Sequence, residues 1–74
     1  MSYWIKLAEM FGLHVGDIFQ VVDSQGIELS GTFCFRADGL YYFINGRQYS
    51  GIDTTNSLIQ LLNGKYTVER RENE

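Results

Sequence analysis

The stretch Thr32-Phe33-Cys34-Phe35-Arg36-Ala37-Asp38-Gly39-Leu40-Tyr41-Tyr42-Phe43-Ile44-Asn45-Gly46-Arg47-Gln48-Tyr49 decides the fold. Its apolar and aromatic runs are β-formers, and Asp38-Gly39 and Asn45-Gly46 fall between them as two-residue hairpin signals. Two-residue turns at both places predict the opposed pairs Ala37/Leu40, Phe35/Tyr42 and Phe33/Ile44, then Ile44/Arg47, Phe43/Gln48 and Tyr42/Tyr49. Opposed residues share a face of the sheet. One face then carries Phe33, Phe35, Ala37, Leu40, Tyr42, Ile44 and Tyr49, and is the expected core face. The other carries Thr32, Cys34, Arg36, Tyr41, Phe43, Gln48 and Ser50.

Toward the C-terminus, Asp53-Thr54-Thr55-Asn56 offers helix caps, Leu58, Ile59, Leu61 and Leu62 supply an apolar stripe, and Asn63-Gly64 supplies a stop. Leu62 is expected in the core. Lys65 to Arg70 alternates as a last strand with Tyr66 and Val68 inward, and 71–74 reads as a frayed tail. Toward the N-terminus, Ser2 is a helix cap and Gly12 a stop around a helix of about ten residues, too short to hold without packing. Ile5, Ala8, Met10 and Phe11 give its stripe, which Trp4 and Leu7 widen. Asp17 to Val22 reads as a strand and Asp23 to Gly26 as a turn. Ile27 to Leu29 is either the return arm of a hairpin or irregular chain. Residues 1–70 form a single α+β domain: an antiparallel meandering β-sheet with two short helices packed on one face.

The chain has 74 residues with 6 basic and 9 acidic side chains, a formal charge of −3, so a phosphate-neutralising surface is not its main device. With 45% hydrophobic and 15% aromatic residues it is a folded domain, although one of this size has a thin core. A single cysteine forbids an internal disulfide, and a single histidine leaves too few ligands for a closed zinc site. There is no basic segment before an apolar run and no stretch near the ~20 apolar residues that span a bilayer, so the expected setting is the cytoplasm, away from membranes.

No catalytic constellation emerges, and no cofactor or metal is expected. Cys34 has only Arg36 near it in sequence to make its thiol reactive, and His14 lies in a loop between glycines. Asp17, Asp23, Asp38 and Asp53 occupy turn and cap positions where aspartate serves the backbone. Neither glycine pattern, Gly12 to Gly16 nor Gly26 to Gly31, is followed by the lysine and helix of a phosphate loop. Arg36, Tyr41, Phe43 and Gln48 are different: the register puts Arg36 opposite Tyr41, within cation–π reach, and Phe43 opposite Gln48, on the face away from the helices. Such a patch suits a protein partner or a homodimer contact. The alternative is single-stranded nucleic acid stacking on the same rings, against which the missing basic groove counts.

The segments Trp4-Ile5-Lys6-Leu7-Ala8-Glu9-Met10-Phe11-Gly12-Leu13, Val15-Gly16-Asp17, Gly31-Thr32-Phe33 through Asp38-Gly39-Leu40, and Leu61-Leu62-Asn63-Gly64-Lys65-Tyr66 resemble small uncharacterised phage and prophage proteins of Gram-positive bacteria, the Firmicutes. The resemblance implies a phage-encoded accessory protein in the cytoplasm of the bacterial host and brings no functional residues with it. The expected function is therefore non-enzymatic: binding of a host or phage protein.

Overall fold

Tyr3–Met10 forms helix α1 because Ser2 stands in extended conformation before it and accepts the Trp4 N–H at 3.2 Å. The computed structural model describes residues 2–70; the tail expected at 71–74 lies outside the described residues. The helix ends in a Schellman motif: Gly12 has φ +74°, its N–H donates to the Glu9 carbonyl, and the Leu13 N–H donates to the Ala8 carbonyl at 2.9 Å. Strands β1 (Ile18–Val22), β2 (Thr32–Arg36), β3 (Gly39–Ile44) and β4 (Arg47–Tyr49) follow. A 3₁₀ turn (Gly51–Thr54) leads into helix α2 (Thr55–Leu62), and β5 (Thr67–Arg70) closes the chain. The sheet is five-stranded in the order β4-β3-β2-β1-β5, and every neighbouring pair is antiparallel. This is the α+β meander with two helices that the sequence predicts.

The core lies on one face. Phe19, Val21, Phe33, Phe35 and Leu40 from the strands are buried against Leu7 and Ala8 of α1, Leu13, and Leu61 of α2. Phe35 is its centre, with the rings of Phe19, Phe11 and Trp4 at 5.6, 6.0 and 6.3 Å. Leu29, Tyr66 and Val68 pack on the same cluster from its margin. No helix of the described residues is long and apolar enough to cross a membrane.

The β2–β3 hairpin turns one residue earlier than expected, which shifts its pairing by two residues. Its pairs are Thr32/Phe43, Phe33/Tyr42, Cys34/Tyr41, Phe35/Leu40 and Arg36/Gly39, so the turn is Ala37-Asp38 and Gly39 is the first residue of β3. Arg36 therefore opposes Gly39 and not Tyr41, and Ala37 leaves the core face for an exposed turn. The Ser2 hydroxyl holds that turn from 35 residues away, donating to the Ala37 carbonyl at 2.6 Å. The slip changes every partner but moves pairing by an even number of residues, so each side chain that remains in a strand keeps its expected face. Between β1 and β2, Asp23 closes the predicted turn by accepting the Gln25 and Ile27 N–H groups. The Ile27–Leu29 arm forms only a single bridge, Val22 to Glu28.

Asn45 and Gly46 both have positive φ, 53° and 75°, as a type I′ turn requires. A Cβ on Gly46 meets nothing within 4 Å, so only the backbone resists substitution there. Gly46→Val is expected to destabilise the domain by more than ~1 kcal/mol, through a β-branched residue held at positive φ. Thermal unfolding checks this, and an unchanged transition would exclude the I′ turn.

Candidate functional site

The sheet face away from the helices carries Ile18 and Val22 of β1, Thr32, Cys34 and Arg36 of β2, Tyr41 and Phe43 of β3, and Gln48 of β4, as the alternation of paired strands dictates. Both helices and Leu29 pack on the opposite face. The guanidinium carbon of Arg36 lies 4.8 Å from the centroid of the Tyr41 ring and 5.8 Å from that of Phe43. An arginine opposite Gly39 meets no side chain directly across, so its long stem reaches diagonally to the two rings. Gln48 stands opposite Phe43 as expected. The four predicted patch residues thus share one face, with three of them in ring contact. Tyr41 and Phe43 are half-buried, Arg36 and Gln48 exposed.

Cys34 sits in the middle of this face yet is only 2% exposed, because it is a small residue flanked by larger ones on neighbouring strands; Tyr41 is directly opposite on β3 and Ile18 on β1. Its thiol donates to the Phe35 carbonyl at 3.5 Å. His14 is on an exposed loop, its Nδ1 3.7 Å from Oδ2 of Asp17, which also accepts the His14 backbone N–H. The structure does not make a nucleophile and base of the two. Among the described residues no three His, Cys, Asp or Glu side chains gather closely enough to hold a metal ion.

Asp38 departs from its expected turn-only role. Both its carboxylate oxygens lie 3.0 Å from the Tyr41 hydroxyl, which donates to them. That hydrogen bond holds the Tyr41 phenol above its ordinary pKa, helped by desolvation and by the carboxylate charge, while the Arg36 guanidinium pulls the other way. Together Asp38 and Tyr41 border an open cleft of about 550 Å³ whose other walls are Trp4, Gly39, Leu40, Ser50, Gly51, Thr54, Thr55 and Leu58. The cleft exists because β4 stops at Tyr49, opposite Tyr42, leaving Gly39 to Tyr41 without a strand on that side. The 3₁₀ turn crosses the gap instead, and the Thr54 hydroxyl, in a residue only 4% exposed, donates to the Leu40 carbonyl at 3.1 Å. Sequence reasoning misses this cleft. Its one signal is an aspartate three residues before a tyrosine across a tight turn.

No family model, curated protein or solved structure matches the chain.

Proposed function

We propose that the chain is a small non-enzymatic accessory protein of the phage type that works in the bacterial cytoplasm by binding a host or phage protein through its open sheet face, with Arg36, Tyr41, Phe43 and Gln48 as contact residues. One observation carries the reading: the Arg36 guanidinium is already stacked on Tyr41 and Phe43, on a face that neither helix covers. Arginine and aromatic side chains are the commonest anchors of interfaces, and an anchor held in place beforehand loses less entropy on binding. The phage attribution and the cellular setting rest on the sequence resemblance. A buried, backbone-bonded Cys34 supports a binding over a catalytic role.

Half-buried rings on an uncovered sheet face also favour a second reading, single-stranded nucleic acid stacked on the same face. The formal charge of −3 weighs against it. Replacing Tyr41 and Phe43 together with Ser is expected to leave a cooperative unfolding transition in place and to abolish both self-association and retention of a bacterial protein by the tagged chain. Unchanged retention, or a double variant that does not fold, would contradict the proposal. Oligonucleotide binding that weakens steeply with salt and vanishes in the variant would replace it with the nucleic-acid reading.

A further inference from the structure

We propose that the cleft between α1, the Ala37-Asp38 turn and the start of α2 is a binding site for a primary alkylammonium group, with Asp38 as its counter-ion. The cleft adjoins the sheet face and shares Tyr41 with it, but the proposal does not rest on the sheet-face reading, since its ligand and its counter-ion are different.

The Tyr41 hydroxyl spends its proton on Asp38, the Thr54 hydroxyl on the carbonyl of Leu40 or Gly51, and the Thr55 hydroxyl on that of Gly51 at 3.2 Å. Each hydroxyl has one proton to give, so these three oxygens have only lone pairs left for a ligand. Asp38 adds two charged acceptor oxygens, and among the described residues no lysine, arginine or histidine lines the cleft. Arg36, the cation nearest in sequence, is engaged over the Tyr41 and Phe43 rings. Among the described residues no ion pair within 4 Å involves Asp38. Ser50 and the Trp4 indole N–H add neutral donors, but among the described residues Asp38 is the one charged side chain of the lining, and a carboxylate with spare acceptor oxygens around it selects a cationic donor.

Two further features narrow the cation. The Tyr41 hydroxyl is equidistant, at 3.0 Å, from both Asp38 oxygens, and so occupies the fork that a guanidinium needs for a paired, planar contact. An ammonium needs no fork; its three N–H groups can take separate lone pairs from Asp38 and the threonine oxygens. Trp4, Leu40 and Leu58 give the cleft an apolar side for a methylene chain, and an indole is the best aromatic partner for a cation. The volume of about 550 Å³ is that of a small-ligand site. The same chemistry is offered by a free alkylamine and by a lysine side chain on another protein.

Trp4 is the chain's one tryptophan, so its fluorescence reads the cleft directly. The wild-type chain is titrated at low salt with 1,4-diaminobutane and with a blocked Gly-Lys-Gly peptide, and in parallel with 1-butanol and the Nε-acetylated peptide. The expected result is a saturable change with at least one amine in the millimolar range and none with either neutral probe. Tighter binding of the diamine identifies a free amine as the ligand, and tighter binding of the peptide a lysine side chain. Asp38→Asn is expected to weaken binding about tenfold, the loss of one charge-assisted hydrogen bond. Should that variant fail to fold, Thr55→Val is expected to weaken binding several-fold. Equal response to the neutral probes, no saturation by either amine, or undiminished affinity in a folded Asp38→Asn chain would overturn the proposal.

Discussion

Gly31→Ala is expected to cost roughly 2–5 kcal/mol of stability, a large share of what a domain of this size possesses. Gly31 has φ +85°, a conformation that an L-residue reaches at about 1–2 kcal/mol. The larger part is steric. A Cβ there would stand 2.6 Å from the Phe43 carbonyl oxygen, 2.8 Å from Cε1 of Tyr42 and 3.1 Å from the Ile44 Cβ. None of these neighbours is free to move. The Phe43 carbonyl belongs to a strand paired on both sides, and Tyr42 is fixed by a 2.8 Å hydrogen bond to the Ser30 carbonyl and by stacking on Phe33 at 4.6 Å. Overpacking of this kind adds about 1–3 kcal/mol. Gly26→Ala is the control, because Gly26 has nearly the same φ, +82°, with nothing within 4 Å of the added carbon. Denaturant unfolding of both variants separates the two causes: a shift in midpoint no larger for Gly31→Ala than for Gly26→Ala would disprove the close approach.

What the sequence makes legible is what neighbouring residues encode. Ser2, Gly12, Asn45-Gly46, Asp23 and Gly64 act in the structure as their local chemistry predicts, because a cap or a primed turn is decided within a few residues. The β2–β3 turn is not of that kind. Asp38-Gly39 is the better local signal, yet Ala37-Asp38 forms the turn, with both residues at negative φ and the Ala37 carbonyl tied to Ser2. A contact spanning 35 residues leaves no mark on a local pattern. The aromatic patch survives that error for a geometric reason. Faces depend on the parity of the pairing alone, and the arginine side chain is long enough to reach Tyr41 from its true position. The cleft beside it draws on Trp4, Asp38, Ser50 and Thr54, from separate segments, and becomes visible only once β4 is seen to stop at Tyr49.

Leu61→Ala is expected to cost about 2–5 kcal/mol, whereas Leu62→Ala should cost less than ~1 kcal/mol. The four apolar residues Leu58, Ile59, Leu61 and Leu62 fit two stripes of one helix, 58 with 61 and 59 with 62, and sequence alone weighs them equally. The expectation that Leu62 is a core residue is therefore corrected: Leu61 is 3% exposed and Leu62 51%. The ends of the helix decide its rotation. At the N-terminal end the Thr54 hydroxyl ties the chain to Leu40 of β3, and at the C-terminal end the Tyr66 N–H donates to the Gln60 carbonyl at 3.0 Å, directing the chain into β5. Held at both ends, the helix turns Leu58 and Leu61 onto the core cluster and leaves Ile59 and Leu62 in solvent. Removing Leu61 deletes buried methyl groups and opens a cavity in a core that has few residues to spare, while removing Leu62 deletes surface that water already covers. Denaturation of the two single variants distinguishes the alternatives, since a Leu62→Ala cost equal to that of Leu61→Ala would require the helix to be rotated by a full residue.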